Sequence, residues 1–287
     1  MKRTLVLLAL LAGTFSSNAQ LLWKVSGNGI KNPSFILGTH HVASSEICDM
    51  IGGFKSAYDA IEQVYGEVDM QKMNSAGTQI KVLSYSFMPK GQTLSSLYTE
   101  EQIRKLDEFL APVLGAELKA FDKFKPVTVT SMVQMLMAQK LFPDFEAENA
   151  IDSYMQNKAR KDKKAAKGLE TIEFQLDILY NTPLEEQAKE LLEMAEMGPK
   201  VEESIISLTR SYLAQDLEAM WNAMLEDAEP GELDELVFKR NKNWIVQMKE
   251  IMPQTPTMFV VGAGHLPGDL GVLNLLKEAG YKVEPVW

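Results

Sequence analysis

Two stretches decide the fold of this chain: Ser34–His41, with the sequence SFILGTHH, and Pro256–His265, with the sequence PTMFVVGAGH. Each is a run of apolar and β-branched residues that leads into glycine and stops at histidine. Such a run, closed by a glycine turn, is typical of a buried strand that feeds a loop. Together the two stretches hold every histidine of the chain: His40, His41 and His265. Because ligands of α/β proteins bind beyond the carboxyl ends of the strands, we expect a functional site there.

Similar elements flank the two stretches. The predicted strands and helices are Leu21–Val25, 53–63 and Val64–Met70 around the first stretch, and Glu232–Met252, Thr257–Val261, Gly271–Ala279 and Tyr281–Val286 around the second. Helical periodicity dominates between them, for example after the capping box at Thr99–Gln102. The sequence therefore predicts an α/β fold: a mixed β-sheet core built from two similar N- and C-terminal half-repeats, with a helical insertion at roughly 71–230.

The composition excludes some classes of function. The 287 residues carry a formal net charge of −10, without stripes of lysine and arginine, which argues against nucleic-acid binding. Residues 1–19 have the pattern of a signal peptide, with Lys2 and Arg3 before a short apolar run and a small-residue cleavage site near Ala19. We therefore expect a periplasmic or secreted protein in which 20–287 form a single domain. No later stretch predicts a membrane span, and the oligomeric state is left open.

The histidines are candidate metal ligands. Neutral imidazole and carboxylate are common ligands of first-row divalent ions, and Glu67 ends a predicted strand near both motifs. Gly38 and Gly262, which begin the two Gly-x-x-His motifs, would let the backbone turn sharply and come close to a bound ligand. A hydrogen-bonded structural role is the competing interpretation for each histidine, and the better one for His40.

Five segments carry a family resemblance. They are LLWKVSGNGIKNPSFILGTHH (21–41), VYGEVDM (64–70), GLET (168–171), FKRNKNW (238–244) and FVVGAGHLPGDLGVLNLLKEAGYKVEPV (259–286). With them the chain resembles the TraB/GumN family, which includes the animal TIKI metalloproteases and is more distantly similar to erythromycin esterases and haem-binding ChaN-type proteins. The resemblance covers essentially all of 20–287 and is strongest at both ends.

The resemblance implies a metal-dependent hydrolase that acts on a peptide or protein substrate. His41 and His265 match the motif histidines, Glu67 and Glu170 the family's glutamates, and Arg240 its arginine. By this resemblance His41, His265 and a glutamate, Glu67 in the first instance, would hold Zn, Mn or Co. The other glutamate would serve as general base, and Arg240 would stabilise the oxyanion.

Two alternatives remain open from the sequence. In the first, no metal takes part, and His41 or His265 activates water as a general base that the glutamates orient. In the second, the chain is not an enzyme but an exported binding protein for a peptide or haem. The chain lacks an H-E-x-x-H helix, so ligand spacing alone does not decide between these readings.

Overall fold

The structure is a computed structural model that describes residues 20–143, 150–228, 231 and 233–287. The predicted signal peptide and Glu232 lie outside the described residues. The strands are β1 Leu22–Ser26, β2 Ser34–Thr39, β3 Gln63–Gly66, β4 Ala165–Gly168, β5 Thr257–Gly262 and β6 Lys282–Pro285. The α-helices are α1 Phe54–Asp59, α2 Met70–Met73, α3 Ala76–Ser86, α4 Glu100–Leu114, α5 Pro126–Leu141, α6 Ile151–Lys161, α7 Ile172–Tyr180, α8 Leu184–Met197, α9 Lys200–Leu213, α10 Leu217–Asp227, α11 Lys239–Ile251 and α12 Val272–Glu278.

The six strands described form one mixed sheet with the order β4-β3-β5-β2-β1-β6. The strands β4, β3, β5 and β2 run parallel, whereas β1 is antiparallel to both β2 and β6. Every residue of β2 is buried, and so are the first five of β5, which explains why these two strands are continuous apolar runs in the sequence. The predicted α/β fold with a mixed sheet is thus confirmed, and the half-repeat relationship stays a prediction.

Parallel pairing brings four strand ends to one edge of the sheet. Thr39 pairs with Gly262, and Gly66 pairs with both Val260 and Gly168. The residues that follow β2, β3, β4 and β5 therefore leave the sheet side by side. Gly38 allows the close approach at this edge, because a Cβ there would lie only 2.9 Å from Leu266 Cδ1.

Three predicted elements have different limits in the structure. The strand predicted over Val64–Met70 ends at Gly66, because Asp69 instead caps α2 by accepting from the Gln71 N–H. The helix predicted over 53–63 ends at Asp59. The long helix predicted from Glu232 begins as a π-helical turn at Asp234–Phe238 and becomes regular at Lys239.

The segment predicted as a helical insertion contributes to two cores. Helices α4, α5, α8 and α9 bury apolar residues such as Leu106, Val129 and Leu191 in a cluster of their own. Helix α6 and strand β4, from the same segment, belong with the main sheet. Among the described residues, no helix combines the length and apolar character needed to cross a membrane.

Candidate functional site

The edge formed by the four parallel strand ends carries most of the residues singled out by the sequence. His41 follows β2, Glu67 follows β3 and Glu170 lies two residues beyond β4. His265 closes a 3-10 turn, Ala263–His265, directly after β5. Arg240 reaches the same edge from the first turn of α11. Contacts join Glu67, Glu170, Arg240 and His265, which we call the Arg240 cluster.

The guanidinium of Arg240 lies at the centre of this cluster. Nη2 donates to Glu67 Oε2 at 2.6 Å and to Glu170 Oε2 at 2.9 Å, and Nε donates to Glu170 Oε1 at 2.9 Å. Nη1 donates to the Leu236 carbonyl at 3.0 Å and lies 3.2 Å from His265 Nε2. The side chains of Arg240, Glu67 and Glu170 are only 8%, 11% and 3% exposed. Every nitrogen of the guanidinium therefore already has an acceptor, and both carboxylates are held as a buried ion pair.

Glu67 links the cluster to the sheet. Its Oε1 accepts from the Gly262 N–H at 2.9 Å, and its Oε2 also accepts from Gln175 Nε2 at 3.1 Å. A Cβ at position 262 would lie 3.3 Å from Glu67 Oε1, so glycine leaves room for this contact. Burial favours the neutral acid, but it is outweighed by His265, which is protonated at the low pH where Glu67 titrates, by the charges of Arg240 and His41, and by the Gly262 N–H. Together they lower the pKa of Glu67 to about 2. Glu67 is therefore a carboxylate at neutral pH.

Glu170 has a different environment. Its Oε1 accepts from Trp244 Nε1 at 2.8 Å as well as from Arg240. Burial raises its pKa in spite of these donors and of the positive charge of Arg240. The two glutamates of the site thus differ in the direction of their pKa shifts.

Asparagine fixes the tautomer of His265. Asn241 Nδ2 donates to the carbonyls of His265 and Leu270, so its Oδ1 is the acceptor for His265 Nδ1 at 2.7 Å. This network assigns the ring proton to Nδ1 and leaves the lone pair of Nε2 toward Arg240. Burial lowers the pKa of His265 to about 4, which keeps the imidazole neutral at pH 7.

His41 lies outside the contacts of the Arg240 cluster. Its side chain is 79% exposed, and Nδ1 is 3.5 Å from Asp152 Oδ2. Thr39 Oγ1 holds the other oxygen of Asp152 by donating to it at 3.0 Å. Pairing with the carboxylate of Asp152 raises the pKa of His41 to about 9, and the negative charge of Glu67 contributes to this shift. His41 is therefore positively charged at neutral pH and lies within electrostatic reach of the buried cluster.

The neighbouring histidine has a different partner. His40 Nε2 lies 3.1 Å from Thr209 Oγ1, and its ring packs 5.4 Å from that of Tyr212. Burial lowers the pKa of His40 to about 4. These contacts to α9 agree with the structural interpretation of His40.

The donors at the site do not fit a divalent ion in this arrangement. His265 Nε2 and Glu67 Oε2 both face the guanidinium of Arg240, so these two lone pairs are already directed at a cation. The other oxygen of Glu67, Oε1, lies 3.9 Å from His265 Nε2. His41, the third predicted ligand, directs Nδ1 to Asp152. Over the described ranges, no group of three or more His, Cys, Asp or Glu side chains is placed to hold a metal. A metal bound by His41, His265 and Glu67 would require Arg240 and His41 to move.

Four residues that position the site were not singled out by the sequence. Asn241 and Trp244 lie in the FKRNKNW segment one and four residues after Arg240, so helical periodicity could have placed Trp244 beside it. Gln175 and Asp152 had no such signal. Asp152 lies in the first turn of α6, where a carboxylate is ordinarily explained by the helix dipole.

We expect the folded state to lose stability as the pH falls below about 6.5. His265 has a pKa of about 4 in the folded chain and about 6.5 in the unfolded chain, so protonation of the unfolded chain favours unfolding between these values. Glu67, whose pKa is depressed to about 2, extends the loss below pH 4.5. Denaturant unfolding at a series of pH values measures the slope of the unfolding free energy against pH. His40, whose pKa burial also lowers to about 4, adds to the loss in the pH range where His265 does. His265→Gln should therefore reduce, but not abolish, the slope of the unfolding free energy between pH 6.5 and 4; an equal slope in both proteins would contradict the buried, neutral environment of His265.

Comparison with known proteins places the chain in a family. The sequence model of the TraB/PrgY/gumN family matches residues 21–285. The chain is 24% identical to zebrafish (Danio rerio) metalloprotease TIKI2 and 25% identical to Xenopus tropicalis metalloprotease TIKI1, alignments that cover 92% and 88% of this chain. It is 22% identical to the metalloprotease TIKI homolog of Nematostella vectensis over 88% of this chain. These alignments span 60%, 59% and 65% of the relatives' own lengths. No solved structure matches the chain.

Proposed function

Because this chain belongs to the TraB/PrgY/gumN family, we propose that it is an exported hydrolase that cleaves peptide bonds in a protein or peptide substrate. The observation that carries the proposal is the Arg240 cluster at the carboxyl ends of the parallel strands, with His41 beside it. Buried charged groups gathered at a sheet edge cost folding free energy, and such an arrangement is typical of a functional site. The metalloprotease names of the TIKI relatives support the choice of peptide bonds. Residues 1–19 support a periplasmic or secreted location.

We assign the reaction to the two histidines. The Nε2 lone pair of His265 accepts a proton from water as the water oxygen adds to the carbonyl carbon of the substrate. His41, held at Nδ1 by Asp152, donates a proton from Nε2 to the amide nitrogen as the C–N bond breaks. Arg240 supplies positive charge near the developing oxyanion, and Glu67 and Glu170 hold its guanidinium in place. Substrate binding would break the contact between Arg240 Nη1 and His265 Nε2 and put substrate in its place.

The environments of the two histidines support this division of labour. Burial lowers the pKa of His265, whereas Asp152 raises the pKa of His41, so at neutral pH one imidazole is free to accept a proton and the other carries one to donate. Titratable groups whose surroundings push their pKa values apart are typical acid and base pairs.

The metal-dependent mechanism is the second candidate, which the names of the relatives favour. In that version Zn, Mn or Co would be held by His41, His265 and Glu67, and the ion would activate water. The contacts of Arg240 with Glu67 and His265 count against it, since a guanidinium and a divalent ion cannot occupy one place.

A cleavage assay with and without a chelator tests both versions. The protein, purified without a histidine tag and checked by elemental analysis, is incubated with a library of short fluorophore–quencher peptides. We expect cleavage that survives strong chelation. Cleavage that chelation abolishes and added Mn, Co or Zn restores would reject the metal-free mechanism but retain the hydrolase. Absence of cleavage under all conditions, with a Soret band after haem addition, would instead identify a binding protein.

A further inference from the structure

We propose that an apolar groove beside the Arg240 cluster binds an apolar segment of the substrate peptide, so that the enzyme selects substrates by large apolar side chains near the scissile bond. The inference rests on the proposed function. The groove is an open cleft of about 600 Å³. Its apolar walls come mainly from α8, α9, α10 and the π-helical turn, and include Met194, Met197, Ile205, Leu208, Met224 and Leu236.

The groove and the Arg240 cluster are continuous. Arg240 and His265 themselves line the groove, so a molecule bound there contacts the residue to which we assign the general base. Met224 packs on the turn that carries His265. Its sulfur is so close to Gly264 that a Cβ at this position would lie only 2.4 Å away. An occupant of the groove is therefore placed against the reacting groups, as a substrate is.

The size and lining of the groove suit several side chains in succession. Sites that enclose most of a small ligand have volumes of roughly 300–1,000 Å³, so about 600 Å³ accommodates more than one residue of a peptide. Methionine is unbranched and adapts its shape to different apolar partners, which suits a site that accepts more than one apolar sequence. Gln134, Ser204 and Ser207 also line the groove and can hydrogen-bond to a peptide backbone.

The charges at the groove favour a neutral occupant. The positive charge of Arg240 is matched by Glu67 and Glu170, and each of its nitrogens already donates to an acceptor. Glu226, on the wall, adds a negative charge. The positive charge of Arg240 is therefore not available to pair with an acidic ligand, and a neutral apolar peptide fits the groove better.

Binding of labelled peptides tests the inference. Fluorescence anisotropy compares a short fluorescein-labelled peptide of leucine, methionine and phenylalanine with an equally long one of serine, glutamine and asparagine. Met197→Glu places a charge at a groove residue that is 38% exposed, and Met135→Glu is the matched control, since Met135 is 46% exposed on α5 and does not line the groove. We expect the apolar peptide to bind at least about ten-fold more tightly than the polar one. Met197→Glu should weaken binding of the apolar peptide about ten-fold.

The outcomes separate this inference from the proposed function. Equal binding of both peptides, or equal effects of Met197→Glu and Met135→Glu, would overturn the groove as the subsite, even if the library is cleaved. Selective binding that Met197→Glu weakens would support the groove, even if no peptide is cleaved and the proposed hydrolase fails. Sedimentation that shows a dimer dissociated by Met197→Glu, without peptide binding, would replace the substrate by a second copy of the chain.

Discussion

Replacing Arg240 by alanine is expected to reduce the free energy of unfolding by about 3–5 kcal/mol. The substitution removes the cation from between two carboxylates that are 11% and 3% exposed, and it leaves Glu67 and Glu170 buried without their charge partner. Desolvated carboxylates that lose a paired guanidinium repel each other and favour the unfolded chain. The lost packing of the guanidinium over the Trp244 ring, 4.9 Å from the ring centroid, adds to the effect.

The pH dependence of the Arg240→Ala effect identifies its cause. The unpaired glutamates of the variant should have raised pKa values in the folded state, so their protonation relieves part of the penalty at low pH. The difference in unfolding free energy between wild type and variant should therefore be larger at pH 8 than at pH 5. Chemical denaturation at both pH values measures it.

Lys239→Ala is the matched control for this prediction. Lys239 is the preceding residue in α11, its side chain is 62% exposed, and it pairs with Glu235 at the surface. An exposed pair of this kind contributes less than about 1 kcal/mol. If Arg240→Ala changed the unfolding free energy no more than Lys239→Ala does, the Arg240 cluster would not have the buried, ion-paired character described above.

Replacing His41 by alanine is expected to lower kcat/KM for peptide cleavage by about 10²–10⁴-fold with only a small loss of stability, because the ion pair with Asp152 that it removes involves a largely exposed imidazole. The exposed ring makes few packing contacts, so its loss costs little folding free energy, whereas the mechanism loses its proton donor to the leaving amine. Steady-state cleavage and thermal unfolding of the same preparation measure both effects. Asp152→Asn should lose a smaller part of the activity, because His41 remains but is less firmly oriented.

The adjacent histidine supplies the control for His41→Ala. His40→Ala should lower stability, because His40 contacts Thr209 and Tyr212, and should leave most of the activity. The opposite pattern, in which His40→Ala abolishes cleavage and His41→Ala does not, would show that the doubled histidine had been assigned in the wrong order.

The sequence predicts the parts of this site that depend on local pattern. Apolar runs that end in glycine mark β2 and β5, and parallel pairing then requires their ends to lie side by side. The placement of His41 and His265 at one edge follows from this pairing. The short β3 was predicted too long because Asp69 satisfies two patterns, the alternation of a strand and the cap of a helix, and the cap prevails.

Contacts between distant parts of the chain could not be derived from the sequence. Asp152 reaches His41 from a helix more than a hundred residues later, and Gln175 likewise reaches Glu67 from α7. Neither position differs in sequence from an ordinary polar residue near a helix end. Arg240 enters the predicted site only through the family resemblance: as a mid-helix residue between Lys239 and Lys242, it matches the pattern of an exposed charge, and the pattern alone does not predict its central place.

The most direct test of the account is a double-mutant cycle on the two motif histidines. The kcat/KM for peptide cleavage is measured for wild type, His41→Ala, His265→Gln and the double variant, with folding of each confirmed by unfolding curves. If both imidazoles act on one bond at one site, the double variant should lose little more activity than the more impaired single variant. If the losses of the two single variants multiply in the double variant, or if either single variant keeps full activity, the claim that both imidazoles act at one site is contradicted.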